Sequence, residues 1–341
     1  MRKAASVTIT VLGLVVLSGA AVARGAVAPM LSALPAHVDT TRTYSGTAAT
    51  LLDPAAIAAG AIDKVVRHDV PITVQHRDRV LSASFTSALV ADSKTVKANG
   101  TTIADVTYRY AVDRRSLGLG YGYSGLTSQQ GLTFNWPIMT GSHDYPGWVA
   151  DTQRSAPLRF RGTQQHAGVA TDVFTISTEP AVLRDPQVLS ALPQAMPKGI
   201  LTALAPQLGL AAVPANLPEL VRLAYTYRVD ATYWVAPRSG IVVDVTQREV
   251  RSVGIANAAG LPTVTAPVMA IAFTSTPATL KAAVTDARNA SRSLELINTT
   301  LPLVLLLGGL LLLGSGVVLL KTRKANPAPT PAQDRTPIGV S

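Results

Sequence analysis

Cysteine is absent from the 341 residues, which excludes a disulfide framework and thiolate metal sites. Charged residues make up only 15% of the chain and aromatics 5%. Catalytic signatures are also missing: there is no G-x-S-x-G, H-E-x-x-H or Walker sequence. The five histidines, His37, His68, His76, His143 and His166, never stand three or four apart, so no helical metal face is visible. "HRD" at 76–78 matches a kinase catalytic loop in its letters, but the partner motifs are missing. Gly120, Gly122 and Gly125 spell G-x-G-x-x-G. They follow a strand and turn instead of joining a strand to a helix, which reads as an aromatic loop and not a dinucleotide site. His143-Asp144 would need a nucleophile within reach, and adjacent side chains diverge, so "TGSHDYPG" reads as a turn. A hydrolase assembled from distant Ser, His and Asp is the residual enzymatic reading. The expectation is no enzyme, no cofactor and no metal.

Long apolar runs, by contrast, are present at both ends. Arg2 and Lys3 precede an uncharged stretch from Ala4 to Ala23, about the length a helix needs to cross a bilayer. With "GAAVARGA" behind it, the same stretch also fits a cleavable secretory signal. Leu296–Leu320 is free of charge and is followed at once by Lys321, Arg323 and Lys324. The positive-inside rule places the tail in the cytoplasm and residues 26–295 outside it. The expected layout is an N-terminal anchor or signal at 1–25, an extracytoplasmic domain at 26–295, a transmembrane helix at 296–320 and a disordered cytoplasmic tail at 321–341. The expected location is the plasma membrane. Most of the formal charge of +10 gathers at the two ends, where it sets orientation. The remainder is scattered, which argues against nucleic acid as a partner.

Between the ends, period two dominates. In "VRLAYTYRVDATYWVAPRSGIVVDVTQREV" the odd positions from Val221 to Val235 are apolar, and Arg222, Thr226, Arg228 and Asp230 lie between them. This predicts a half-buried strand on a curled sheet. "PRSG" supplies a turn, and Ile241, Val243 and Val245 resume the alternation. "IADVTYRYAVDRRSLG" repeats the scheme, with Val106, Tyr108, Tyr110 and Val112 on one face and a turn at Asp113–Gly118 that suggests a second, similar hairpin. "PLRFRGTQQHAGVATDVFTIS" reads as another strand pair, and 70–90 as further strands. Two segments break the pattern. In 185–210, Leu189, Leu192, Met196, Ile200, Leu204 and Leu208 have helical spacing, interrupted by Pro193, Pro197 and Pro206. "STPATLKAAVTDARNASRSLELIN" carries Ser275 or Thr276 as N-cap and Pro277 at the first helical position. The predicted class is α+β: a β-rich extracytoplasmic domain of long, curled antiparallel strands with a few short helices, flanked by N- and C-terminal transmembrane helices.

"YAVDRRSLG", "GLTFNWPI…DYPGWVADT" and "TYWVAPRSGIVVDV", set between two apolar ends, resemble the actinobacterial PorA-like porin family over nearly the whole chain. The resemblance implies a membrane-anchored cell-envelope protein and supplies no catalytic residues. The chain departs from the family pattern around "MTGSH", where His143 stands alone in place of charged residues. The family name implies a pore, yet strands with Arg, Asp and Thr on one face read as a soluble sheet, not a lipid-facing barrel. A porin role would therefore need an oligomer. The leading expectation is an envelope protein that binds or transfers a lipid or other apolar ligand. Its partners would be the membrane, envelope lipid and, through the transmembrane helices, other envelope proteins. The rival is a scaffold or partner subunit of envelope machinery, with Gly308, Gly309, Gly314 and Gly316 available for helix contact. Candidate apolar-ligand lining residues are Trp136, Trp148, Trp234, Leu192, Met196, Ile200 and Leu204. The rival reading of 185–210 is a cap on the core, and that of Trp136 and Trp148 is a pinned structural corner, its path fixed by Pro137 and Pro146.

Overall fold

The computed structural model describes residues 11–19, 21, 33–53, 56–57, 59–210 and 213–321. The chain divides into two compact units: Leu31–Arg292, and the terminal segments Met1–Met30 with Ser293–Ser341.

The larger unit is built on one antiparallel sheet. Its strands are β1 (Asp39–Leu52), β2 (Val66–Arg67), β3 (Val70–Ala83), β4 (Ser87–Ala98), β5 (Thr101–Asp113), β6 (Tyr145–Val149), β7 (Arg154–His166), β8 (Val169–Ser177), β9 (Ala181–Val182), β10 (Ala195–Pro197), β11 (Leu220–Ala236), β12 (Ile241–Ala256) and β13 (Pro262–Ser275). Their order is β5-β4-β3-β1-β13-β12-β11-β8-β7-β6, with β2 beside β1, and β9 and β10 beside β11. The sheet forms a half-barrel. Register shifts at Ala48/Thr50, Trp234/Val235, Arg251/Ser252 and Phe160/Gly162 are bulges of the kind that bend and twist long strands.

The expected alternation along β11 is present. Val221, Leu223, Tyr225, Tyr227, Val229 and Ala231 are buried, whereas Arg222 and Arg228 are exposed. Pro237–Gly240 closes the β11–β12 hairpin, with the Gly240 amide donating to Ala236 at 2.9 Å. Gly240 has φ +69°, and a Cβ there would overlap the Trp136 carbonyl, so this turn requires glycine. Two short helices, α1 (Pro186–Ser190) and α2 (Lys198–Leu204), set Val188, Leu201 and Leu204 into the main core.

Two expectations are corrected. The Asp113–Gly118 turn does form, held by Asp113 Oδ1 accepting from the Arg115 and Ser116 amides. However, it leads to a single bridge at Val112–Leu119 and no second strand; β5 instead hairpins with β4 through Asn99 and Gly100. Segment 185–210 is broken into short pieces, as expected, but one of its apolar positions is not helical. Pro193 and Pro197 interrupt it, and Met196 pairs with Val221 as part of β10. Among the described residues, one helix, Leu301–Leu319, is long and apolar enough to cross a membrane, with a mean hydropathy of 2.4. Of the expected N-terminal span, 11–19 and 21 are helical and the rest lies outside the described residues, as does the tail beyond 321.

The helix at the end of β13, α3 (Pro277–Glu295), starts as expected. Thr276 Oγ1 accepts from the Thr279 amide at 3.2 Å, and Thr279 Oγ1 donates to the Thr43 carbonyl at 2.8 Å, which ties α3 to β1. The chain then continues through a π-helical turn (Leu296–Thr300) into α4 (Leu301–Lys321).

Candidate functional site

Three strands place polar residues where their alternation calls for apolar ones. On β3 the inward positions run Val74, His76, Asp78, Val80. On β4 they run Val90, Asp92, Lys94, Val96, and on β12 Val245, Gln247, Glu249, Arg251, Val253. The flanking valines are all buried, so valine brackets a polar belt across the inner face.

The belt closes on itself through space. Lys94 Nζ donates to Glu249 Oε1, although β4 and β12 are separated in the sheet by β3, β1 and β13. Only a curled sheet brings these residues together. Glu249 is 0% exposed. It also accepts from Gln247 Nε2 at 2.7 Å, and Gln247 in turn accepts from the Tyr233 hydroxyl at 3.3 Å. Arg251 donates to Asp151 Oδ1 from Nε at 3.1 Å and from Nη2 at 2.7 Å. The Asp151 carbonyl receives the amides of Arg184 and Asp185. Asp185 accepts from the buried Tyr108 hydroxyl and caps α1 through the Gln187 amide at 2.9 Å.

At the β3–β4 end of the belt, Asp78 and Asp92 stand directly opposite in register. His76 Nδ1 lies 3.5 Å from Asp92 Oδ1, close enough for an ion pair but too loose for a hydrogen bond. Oδ1 of Asp78, Oδ1 of Asp92 and Oε2 of Glu249 are buried with no hydrogen-bond partner among the described residues. Burial, with the Asp92 carboxylate beside it, pushes the Asp78 carboxyl up to about 7. Burial pulls the His76 pKa down, but the Asp92 carboxylate outweighs it and the net shift is upward. Glu249 goes the other way. Burial raises it, yet Lys94 and Arg251 prevail and hold its carboxyl below the usual value. Chemically, the belt is a buried charge network with a proton-accepting carboxyl pair at one end. Among the described residues, no three His, Asp or Glu side chains are grouped to hold a metal ion.

The outer face of the same strands is different. Arg77, Arg79 and Leu81 of β3, Ala91 and Ser93 of β4, and Thr107 and Arg109 of β5 line a groove of about 210 Å³. Asp39 engages Arg77 at 2.8 and 2.6 Å, which holds that guanidinium in place. No ion pair to Arg79 or Arg109 occurs among the described residues. Thr107 Oγ1 donates to Ser93 Oγ at 3.0 Å across the groove floor. Beyond Leu81 the β3–β4 turn carries Phe85, which is 65% exposed.

The expected lining residues are divided between the two faces. Trp136, Met196 and Leu204 are buried in the main core, and Trp148, Leu192 and Ile200 pack against it. Trp234 points to the outer face and stacks on His166 with ring centroids 4.6 Å apart; His166 Nε2 is 2.8 Å from Asp244. Trp136 lies 5.1 Å from Phe174 and 5.2 Å from Tyr233 between ring centroids. Its loop docks on the β11–β12 turn through Trp136 N to the Gly240 carbonyl at 3.2 Å and Thr140 N to the Pro237 carbonyl at 2.7 Å. In the same loop Asp144 accepts from the Phe160 amide at 2.8 Å, while the His143 ring lies against Tyr145 at 4.4 Å. The two side chains of that pair do separate tasks.

Sequence reasoning missed the belt and the groove. The alternation along β12 was followed only to Val245. The next three positions of the same parity are Gln247, Glu249 and Arg251, so the signal was there.

A curled antiparallel half-barrel with a polar belt inside, in a chain that also carries a helix of membrane-spanning length, fits a β-rich protein of the membrane or cell envelope. Residues 5–318 match the model of the family described as Porin PorA, and the chain belongs to that family. No curated protein matches it.

Proposed function

We propose that the half-barrel of this envelope protein binds an anionic amphiphile, a lipid with a phosphate or carboxylate headgroup. The observation that carries this reading is the outer groove. Arg109 makes no ion pair among the described residues, Arg79 stands across from Asp39 in register without a close ion pair to it, Arg77 is pre-positioned by Asp39, and the Ser93 and Thr107 hydroxyls lie between them. Guanidinium groups suit such headgroups because they donate in a planar fork. Leu81 and Phe85 offer an apolar surface beside the charge, which is where an acyl chain would lie. In this reading the inner core residues, Met196 and Leu204 among them, give the sheet rigidity and leave recognition to the outer face.

The test uses the full chain in a neutral detergent, titrated with short-chain phosphatidylglycerol, short-chain phosphatidylcholine and inorganic phosphate. Saturable, salt-sensitive binding of the first, weakened at least about tenfold in Arg79→Ala/Arg109→Ala (about 1.4 kcal/mol), supports the reading. Equal binding of the zwitterionic lipid, or no effect of the double variant, overturns it.

Family membership favours a second reading, a porin-like role. Outward positions on this sheet carry Arg77, Arg79, Arg109, Arg228 and Arg248, all exposed, where a lipid-facing barrel needs an apolar band. Conduction would therefore come from an assembly of copies. Planar-bilayer recording of purified chain over a range of concentrations tests it, with conductance steps that scale with oligomer and not monomer as the expected result.

A further inference from the structure

We propose that the apolar N-terminal segment is a retained transmembrane partner of α4, seated on Gly309, and not a removable leader. Within the terminal unit, Gly13 is buried while Val11, Leu12, Leu14 and Val15 are exposed, and Val16 and Leu17 are half-buried. Positions 13, 16 and 17 share one helical face. Along α4 the buried positions are Pro302, Gly309 and Gly316, seven residues apart, which again describes one face.

The two faces meet backbone to backbone. A Cβ added to Gly13 would lie 2.9 Å from both the Leu313 amide nitrogen and Leu313 Cγ, and 3.0 Å from the Gly309 carbonyl. A Cβ added to Gly309 would lie 2.7 and 2.8 Å from Leu17 Cγ and Cδ2, and 3.1 Å from the Gly13 carbonyl. The contact is reciprocal: a methyl group at Gly13 would press on Leu313 and the Gly309 carbonyl, and one at Gly309 would displace the Leu17 side chain. Residues 13 to 17 run against 313 to 309, so the helices are antiparallel. Gly19, Gly308 and Gly314 face open space, which singles out Gly13 and Gly309 from the other glycines nearby.

Inside a bilayer, where lipid is as apolar as leucine, helices associate through close packing of small residues. An antiparallel pair sets the N-terminal end of the 11–19 helix beside the C-terminal end of α4. The sequence has Arg2 and Lys3 before the first and Lys321, Arg323 and Lys324 at the end of the second, a charge pattern the positive-inside rule favours. The small alanines around Ala23 look like a leader's cleavage site, yet the helix before them fills a fitted contact. Removing it would leave Gly309 facing lipid with no neighbour. This inference does not depend on the headgroup reading.

The absence of native cysteine makes the test direct. The full chain, expressed in a host that inserts it into membranes, carries Gly13→Cys with Leu313→Cys, or Leu17→Cys with Gly309→Cys. Gly13→Cys with Gly308→Cys serves as the control. Under mild oxidation in the membrane, each of the first two pairs gives a fast-migrating intramolecular species that disappears on reduction, and the control gives none. Intact mass of the wild-type chain shows residues 1–23 still attached. A mature chain lacking those residues overturns the proposal, and so does cross-linking no better in the paired variants than in the control.

Discussion

Replacing Glu249 by leucine tests the belt most directly. Glu249 is fully buried, accepts from Lys94 and Gln247, and lies in the field of Arg251. The Lys94 and Arg251 side chains are only 16% and 13% exposed. Glu249→Leu removes the acceptor but leaves the Lys94 ammonium in the same poorly hydrated space. Arg251 keeps Asp151, so the loss falls mainly on Lys94. Breaking a buried ion pair from one side costs about 3–5 kcal/mol, and a domain of this size loses about 2–4 °C of Tm per kcal/mol. The expected drop is therefore roughly 6–20 °C, read by near-ultraviolet circular dichroism or tryptophan fluorescence. Lys94→Met/Glu249→Leu removes both charges, and such replacements are often neutral or stabilising by about 1–4 kcal/mol. The double variant is expected to recover most of the loss, giving a strong coupling energy in the double-mutant cycle. Because the Glu249 pKa is depressed, its contribution is complete above the ordinary value of 4.5 and is lost as pH falls through the folded-state pKa. The deficit of the single variant should accordingly shrink in acid. A single-variant loss below about 1 kcal/mol, or a double variant as unstable as the sum of the singles, would show that Lys94 escapes to solvent and that the belt is not a closed network.

Asp78 is expected to show the opposite pH behaviour. Burial and the Asp92 carboxylate raise its pKa from 3.8 to about 7, against the pull of His76 and Arg42 and with Tyr44 nearby, so between those values the folded chain holds a proton that the unfolded chain has released. Stability from this group falls as pH rises through that window, and Asp78→Asn should flatten the slope and raise Tm above pH 7. A pH series of melting curves on both proteins checks it. The raised His76 pKa acts in the same sense at its upper end, so a residual slope should survive in Asp78→Asn and vanish in the variant that also carries His76→Gln. Gly240→Ala should cost about 1–2 kcal/mol for the left-handed backbone alone, and more because the new Cβ meets the Trp136 carbonyl; denaturant melts and a red-shifted tryptophan spectrum report it. Leu204→Ala, at a side chain 1% exposed, should cost about 2–5 kcal/mol in the same melts, while leaving lipid binding in the outer groove intact.

Much of the fold was written in the period of the sequence. Alternating apolar residues on Val221–Val235 needed only local pleating to become a strand with one buried face, and "PRSG" with Gly240 needed only local backbone geometry to become the turn. Thr276 and Pro277 likewise announced the start of α3, because capping is a matter of neighbouring residues. Where partners were distant, the reading stopped short. Met196 has helical spacing from Leu192 and Ile200, yet Pro193 and Pro197 break the helix and Val221 offers a strand to pair with. The turn after β5 resembled a hairpin turn, but the chain beyond it makes only the Val112–Leu119 bridge along the open edge of β5.

Strand periodicity, turn chemistry, the apolar stretch of α4 and the charge at the two ends were determined by the sequence alone, since each depends on contacts a few residues apart. The meaning of the polar residues was decided by the tertiary structure. In the sequence, His76, Asp78, Asp92, Lys94, Glu249 and Arg251 give no sign of one another, because they lie on three separate strands. They become a buried network only because the sheet curls far enough to bring β4 to β12 across three intervening strands. The same curl sends Trp234 outward and Trp136 inward, separating residues that composition had grouped. A period of two states that side chains alternate between faces, but which face meets protein and which meets water depends on strand order and curvature. Those follow from the register of pairs up to hundreds of residues apart.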